Sequence, residues 1–222
     1  MIKIVVLARR AEHVSVDELR RRSAAAVQSA VAGLAGRRRH VESLALPGGY
    51  RRGEPIYDVV HEVWFTGESS ALAARASVGD ADLNASGLFD SRTLALLVAE
   101  DHLVKDGATA SAELKNFEFV TRLAELPLAE FRRYWREVHG PLASRIGVMR
   151  RYVQSHCVPS LYEQGRQPAW DGLAITRFDD IAAMRHSATT PEYALTRADE
   201  PNFLAPGELP FLITTERELE LR

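Results

Sequence analysis

The sequence has a single cysteine, three lysines and no hydrophobic run that approaches the length of a membrane span. Because Cys157 stands alone, an intramolecular disulfide and a Cys-x-x-Cys redox or zinc motif are excluded. A transmembrane helix needs about 20 consecutive apolar residues, so none is expected. The apolar start, Met1–Leu7, is too short for a signal peptide, and arginines follow it rather than precede it. We therefore expect a cytoplasmic protein that does not contact membranes.

An excess of charge of either sign is also absent. The 28 basic and 30 acidic residues give a formal net charge of -2. Because there is no excess of positive charge to bind a phosphate backbone, nucleic-acid binding is not expected. Hydrophobic residues make up 46% of the chain and charged residues 26%, which is typical of a globular protein and excludes a disordered one.

The most informative feature is an internal repeat. Val16–Arg21 resembles Leu128–Arg133 and Arg38–Ser43 resembles Arg150–Ser155, both at an offset of 112 residues. Later matches keep the same order at slightly larger offsets: Tyr57-Asp58 with Trp170-Asp171, and Leu97–Asp101 with Leu212–Glu216. Such repeats indicate duplicated structural units. We predict two modules, residues 1–106 and residues 113–222, joined by the Gly-, Ala-, Ser- and Thr-rich segment Asp106–Glu113.

Each half has the pattern strand, helix, strand, strand, helix, strand. In the first half, the apolar run Lys3–Ala8 predicts a strand, and Ser15 with Glu18 three residues later predicts a helix N-terminus. Alternation over Tyr57–Phe65 predicts a half-buried strand. In the second half, one helix is predicted over Leu128–Ser144. We therefore predict an α+β fold of two ferredoxin-like βαββαβ modules in tandem. Packing of their bare sheet faces would give a pseudo-dimeric α/β barrel with helices outside and a cavity between the sheets.

The second half carries Tyr134-Trp135-x-x-x-His139-Gly140-Pro141 at the end of a predicted helix, then Arg151-Tyr152-x-Gln154 and Trp170-Asp171-Gly172. This series resembles the signature of the EthD family, within the dimeric α/β-barrel superfamily. The first half resembles it more faintly, since Ser23 and Val27 replace Trp135 and His139. The resemblance therefore implies one complete site and one degenerate one.

The resemblance implies chemistry without a cofactor. EthD proteins are similar to proteins that act on aromatic or polyketide-like compounds, so we expect a lyase, dehydratase, cyclase, isomerase or decarboxylase acting on a hydrophobic aromatic or polycyclic small molecule. Two alternatives stay open: a cofactor-free monooxygenase on a phenol, and a non-catalytic binding or accessory protein. A haem protein is a weaker alternative with only histidines to support it. A homodimer of fused barrels is compatible with the sequence. No nucleotide-binding, HExxH or GxSxG motif occurs.

Three residues are candidate catalysts. His139, at a helix end, could act as a general acid/base, or could simply bind the free carbonyls of the helix terminus. His156 could supply a second base, or be an exposed histidine at a strand end. Glu62 lies in the middle of a strand, where a lone charge is costly. It would be a base if it faced a cavity, and a plain ion pair if it faced an arginine such as Arg177.

Five residues are candidates for substrate binding: Tyr152, Gln154, Trp135, Asp171 and Asp58. The family pattern places Tyr152, Gln154 and His156 on the side of their strand that faces the cavity, where the Tyr152 hydroxyl could polarise a carbonyl. Trp135 could stack on a planar ligand or belong to the core. Asp58 and Asp171 begin equivalent strands, where aspartate commonly closes a turn. No spacing predicts a metal site.

Overall fold

The computed structural model describes residues 1–107 and 114–221. Two compact units are present. Unit 1 comprises Met1–Glu100 and Thr214–Arg222, and unit 2 comprises Asp101–Ile213. These ranges are not continuous in sequence, whereas the domains predicted from the repeat follow chain order and stay a prediction. Most of the predicted joining segment, residues 108–113, lies outside the described residues.

Unit 1 alternates strands and helices as the hydrophobic pattern predicts. The Ser15 hydroxyl accepts a hydrogen bond of 3.1 Å from the backbone N–H of Glu18, which confirms the predicted helix start. The elements are β1 (Ile2–Ala8), α1 (Val16–Val31), β2 (Arg37–Ala45), β3 (Val59–Phe65), α2 (Glu68–Ser77), α3 (Asp80–Asn84), β4 (Ala95–Lys105) and the C-terminal part of β8 (Phe211–Leu219). The hydrogen-bonded strand order is β4-β1-β3-β2-β8, and each neighbouring pair in this order is antiparallel.

The elements of unit 2 are β5 (Leu114–Val120), α4 (Leu128–Tyr134), a π-helical turn (Trp135–His139), α5 (Gly140–Ala143), β6 (Arg151–Cys157), β7 (Gly172–Phe178), α6 (Ile181–Ser187) and α7 (Pro191–Asp199). The strand order in this unit is β8-β5-β7-β6-β4. Within each unit, the described strands that pair do so antiparallel and lie beside helices, which confirms the predicted α+β, ferredoxin-like fold. Across the described residues, no helix is long and apolar enough to cross a membrane.

Two helical features of unit 2 differ from the prediction. The helix expected over Leu128–Ser144 is interrupted by the π-helical turn Trp135–His139. Such turns re-aim side chains within a helix and are frequent at functional sites. The helix α7 was not predicted, although Thr190 before Pro191 is a helix-start signal. The Thr190 hydroxyl accepts a hydrogen bond of 3.2 Å from the N–H of Tyr193.

Strand register places the motif residues of unit 2 on one face of its sheet. Asn116, Thr176 and Tyr152 are neighbours across β5, β7 and β6, and Glu118, Ala174 and Gln154 form the next row. This face meets the helices of its own unit: a Cβ added at Gly172 in β7 would lie 2.6 Å from the Trp135 ring. The expectation that Tyr152, Gln154 and His156 face a space between two sheets is therefore wrong. His156 pairs with Gly172, and paired residues on neighbouring strands share a face, so His156, Gln154 and Tyr152 lie on the helix-facing side of the sheet.

Candidate functional site

A cavity of about 120 Å³ lies within unit 2, among residues of the sheet face and the helices that cover it. We call it the inner cavity. Its apolar walls come from Ala143, Ile146, Met149, Phe178, Met184 and Ala188. Its polar groups are Asn116, Glu118, His139, Tyr152, Thr176, Ser187, Tyr193, Thr196, Arg197 and Glu200. Although ten of these lining residues are polar, most of the wall surface is apolar. Polar groups that converge on an apolar wall are typical of a small-molecule site.

The π-helical turn ends at His139, which is buried and lines the inner cavity. His139 Nδ1 lies 2.9 Å from Oδ2 of Asp199. Because a carboxylate only accepts hydrogen bonds, Nδ1 carries the proton, and Nε2 of the neutral ring keeps its lone pair. Burial lowers the pKa of His139, while the hydrogen bond and charge of Asp199 act in the opposite direction. A histidine positioned by a carboxylate and neutral near pH 7 can serve as a general base.

Asp199 ends α7 and is held by three donors. The Tyr134 hydroxyl donates to it over 2.7 Å and the Asn202 amide over 3.0 Å, in addition to His139. Burial raises the pKa of Asp199, but these hydrogen bonds outweigh that effect and the pKa is lowered. Asp199 therefore stays ionised and fixes the orientation of the imidazole.

Tyr152 lines the inner cavity from the strand side. Its hydroxyl oxygen accepts hydrogen bonds from Trp135 Nε1 at 3.1 Å and from Gln154 Nε2 at 3.2 Å. Two accepted bonds fix the oxygen, and the structure gives the hydroxyl no acceptor among the described residues. Burial raises the pKa of Tyr152, so the phenol keeps its proton. It is thus placed to donate a hydrogen bond to a ligand oxygen.

Gln154 and Trp135 are fully buried and support Tyr152 rather than line the cavity. Gln154 Nε2 also donates to the Trp135 carbonyl over 2.7 Å, at the π-helical turn. Gln154 Oε1 accepts from His156 Nε2 at 3.1 Å, and the His156 ring lies 4.4 Å from the Trp135 ring. The structure therefore brings five predicted residues together, but only His139 and Tyr152 reach the inner cavity.

His156 is buried, in contrast to the exposed strand-end histidine considered from sequence. Burial lowers its pKa to about 3, and the positive charge of Arg132 acts in the same direction. Its Nδ1 has no hydrogen-bond partner among the described residues. His156 is therefore a neutral ring behind Trp135, outside the cavity lining.

Four further residues at the inner cavity were not identified from sequence. Burial raises the pKa of Glu118, and it raises the pKa of Glu200 to about 7. Arg197 forms an ion pair of 2.8 Å with Glu200. Asn116 Oδ1 is buried and unpartnered within the described part of the chain. The signal for Glu118 was present, because a charge in the middle of an apolar strand is costly. Arg197 and Glu200 gave no such signal.

Glu62 lies in unit 1 and forms an ion pair of 2.7 Å with Lys3, with both side chains buried. The partner is therefore a lysine of β1 and not the arginine considered from sequence. The β1–β3 register explains it, because Lys3 pairs with Trp64 and Val5 with Glu62, which puts Lys3 and Glu62 on diagonal positions.

Asp58 and Asp171 occupy equivalent places in the two units. Asp58 accepts from the backbone N–H of Arg10 at 2.8 Å and from the hydroxyl of Tyr50. Asp171 accepts from the N–H of Arg122 at 2.9 Å and from the Tyr162 hydroxyl at 2.7 Å. Each thus closes a turn beside a strand, as the alternative interpretation from sequence had it, and neither lines the inner cavity.

The degenerate first half fills the corresponding position with a buried polar cluster. Ser23, at the position of Trp135, donates to Glu42, which corresponds to Gln154. His40, which corresponds to Tyr152, lies 3.0 Å from His61 between Nε2 and Nδ1. Burial lowers the pKa of His40 and of His61 to about 3 in each case. Among the described residues, no group of three or more histidine, cysteine or acidic side chains is arranged to hold a metal ion.

Residues 124–207 match the model of the EthD domain, which confirms the resemblance seen in the second half. No match was found among curated proteins. The chain is similar in structure to an anthrone oxidase-like protein, with a TM-score of 0.67, 9% identity, and 98% of this chain and 92% of that chain covered. It is also similar to a proposed monooxygenase from Lactobacillus acidophilus NCFM (TM-score 0.52, 10% identity, 98% and 92% covered). A mutant chlorite dismutase from Candidatus Nitrospira defluvii is a third (TM-score 0.55, 13% identity, 97% and 91% covered). At such low identity these similarities show the fold alone.

Proposed function

We propose that this chain is an enzyme that transfers a proton on a hydrophobic compound carrying a carbonyl or hydroxyl oxygen. In this proposal His139 is the acid/base and Tyr152 donates a hydrogen bond to the substrate oxygen. The single observation that carries it is the 2.9 Å contact between His139 Nδ1 and Asp199 at the wall of a small, mostly apolar cavity. Reaction types of this kind include dehydration, cyclisation, isomerisation and decarboxylation.

The arrangement supports an enolisation-type step. With Nδ1 held by Asp199, Nε2 of His139 accepts a proton from carbon or oxygen, and the imidazolium that forms is stabilised by the Asp199 carboxylate. The substrate oxygen gains negative charge in that step and accepts a hydrogen bond from the Tyr152 hydroxyl. Trp135 and Gln154 hold the phenol oxygen in place before the substrate arrives, so little reorganisation is needed.

The test is catalysed hydrogen–deuterium exchange at the carbon next to the carbonyl of 2-tetralone, an uncharged two-ring ketone, followed by NMR in D₂O. The wild-type chain should accelerate exchange, and His139→Ala should slow it by about 10²- to 10⁴-fold, as expected for loss of an acid/base catalyst. His186→Ala is the matched control, since His186 is exposed on α6. Equal rates in wild type and His139→Ala, with the fold intact, would contradict the proposal.

A cofactor-free oxygenase is the second candidate, and two structural neighbours are named as a proposed monooxygenase and an anthrone oxidase-like protein. Deprotonation of a phenol by His139 would be its first step as well, so the same site serves both candidates. Oxygen uptake in the presence of 1-naphthol separates them: consumption that stops in His139→Ala favours the oxygenase, and turnover without oxygen excludes it. A homodimer of the chain stays a prediction.

A further inference from the structure

A second cavity, of about 600 Å³, lies in the same unit. We call it the aromatic groove. Phe119 and Trp170 form one wall, with ring centroids 5.4 Å apart, and the segment 204–210 lines another part. Arg197 and Glu200 line both this groove and the inner cavity. The two spaces therefore share one ion pair as a common boundary.

The sizes of the two spaces are complementary. Pockets that enclose a whole organic ligand have volumes of roughly 300–1,000 Å³. The inner cavity, at about 120 Å³, is too small for an aromatic or polyketide-like molecule as a whole. The aromatic groove, at about 600 Å³, falls within the range. A substrate that places its oxygen near His139 and Tyr152 must therefore extend beyond the inner cavity.

The chemistry of the groove suits apolar rings. Its lining is largely aromatic and aliphatic, with prolines at 201, 206 and 210, and its charged members are Arg197, Glu200 and Glu208. Arg197 and Glu200 pair with each other over 2.8 Å at the boundary. Glu208 in the groove lining would repel an anionic ligand, and Arg197 is already paired with Glu200, so an uncharged ring system fits best.

We propose that the aromatic groove binds the ring system of the same substrate whose oxygen enters the inner cavity past Arg197 and Glu200. The substrate class is then an uncharged fused-ring compound of at least two rings with a hydroxyl or carbonyl group, and not a single-ring phenol. This inference rests on the proposed function for the placement of the oxygen. The groove itself is a binding site whatever reaction follows.

The test is the affinity of phenol, 1-naphthol and 1-anthrol for the full chain, measured by calorimetry. Each added ring should tighten binding by about tenfold or more, because burial of apolar surface drives it. Ala205→Trp should fill the groove and remove this gain while phenol binding stays within about twofold of wild type. Leu195→Trp is the control, since Leu195 is an exposed residue of α7 outside both linings. If Ala205→Trp does not fold, Trp170→Ala serves as the second variant. It removes one wall of the groove and should also reduce the gain in affinity with each ring.

Equal affinity for the three compounds, no binding of any of them, or a ring-dependent gain that survives both groove variants would overturn the inference. The outcome is separable from that of the proposed function. If affinity rises with the number of rings but hydrogen–deuterium exchange is insensitive to His139→Ala, the groove is supported and the proposed function is contradicted. If exchange is lost in His139→Ala but the three compounds bind with equal affinity, the proposed function is supported and the groove is contradicted.

Discussion

His139 Nδ1 lies 2.9 Å from Oδ2 of Asp199, which links the π-helical turn after α4 to the end of α7. The two residues are 60 positions apart in sequence. The contact fixes which nitrogen of the ring carries the proton, and it leaves the other nitrogen to react. A histidine without such a partner would populate both tautomers.

Asp199→Asn should lower the exchange rate on 2-tetralone by about tenfold or more, because the imidazolium loses its stabilising charge. It should also lower the pKa of His139 further, since Asp199 opposes the effect of burial. The acid limb of the rate profile should then move to lower pH. The measurement is the pH–rate profile, with Asp179→Asn, an exposed partner of Arg150, as the control. If the acid limb of Asp199→Asn stays at the wild-type pH, Asp199 does not act on the catalytic histidine.

Tyr152→Phe should impair both stability and catalysis. The variant leaves the Trp135 and Gln154 donors without their shared acceptor, which costs about 1–3 kcal/mol of unfolding free energy. It should also slow exchange by about 10²-fold, through loss of the donor to the substrate oxygen. Tyr162→Phe is the contrasting variant, because the Tyr162 hydroxyl donates to Asp171 and lies outside the cavity lining. It should lose stability while exchange stays normal, and a similar rate loss in both variants would argue against a direct role for Tyr152.

Glu200→Gln should change the pH dependence of stability. The pKa of Glu200 is raised to about 7 in the folded chain, so between about pH 4.5 and pH 7 the folded state holds more protons than the unfolded state. Stability from this group is present below pH 4.5 and is lost as the pH rises through 7. The melting temperature of Glu200→Gln minus that of wild type should therefore increase from pH 5 to pH 8. The exposed Glu12→Gln is the control, and a flat difference for Glu200→Gln would contradict the raised pKa.

Three buried histidines should destabilise the protein as the pH falls below about 6.5, against the opposite contribution of Glu200. The pKa values of His40, His61 and His156 are lowered to about 3, mainly by burial, so the unfolded state binds more protons between pH 3 and 6.5. Unfolding free energy then falls as pH falls, by up to about 1.4 kcal/mol per pH unit for each histidine. The unfolding free energy, measured by urea titration at several pH values in this range, should change less with pH in His61→Gln than in His186→Gln. Equal changes would mean that His61 is accessible to protons in the folded state.

Gly172→Ala should destabilise unit 2. A Cβ at this position would lie 2.6 Å from the Ser155 carbonyl oxygen and 2.6 Å from the Trp135 ring, and overpacking of this kind costs about 1–3 kcal/mol. Gly147→Ala is the control, because nothing lies within 4 Å of its added Cβ. The measurement is the melting temperature of each variant. If both variants melt like wild type, Trp135 is not held against β7 as the structure has it.

The sequence by itself determined most of the strands and helices and the resemblance to the EthD family. Apolar periodicity predicted the strands, Ser15 and Glu18 predicted the start of α1, and the run from Tyr134 to Gln154 predicted the EthD match later found over residues 124–207. These signals are local, because they depend on residues a few positions apart or on the order of motifs along the chain. His139 and Tyr152 were identified in the same way, and the structure places both at one cavity.

Only the tertiary structure decided what those residues meet. Asp199 ends α7, 60 residues after His139, and nothing in the pattern of a helix end indicates that a carboxylate there contacts a distant histidine. The facing of Tyr152 was likewise decided by register, since its pairing with Thr176 commits it to the helix side of the sheet. Glu62 pairs with Lys3 for the same reason. Contacts between distant residues depend on how strands and helices pack, and a single sequence carries that information only through the fold as a whole.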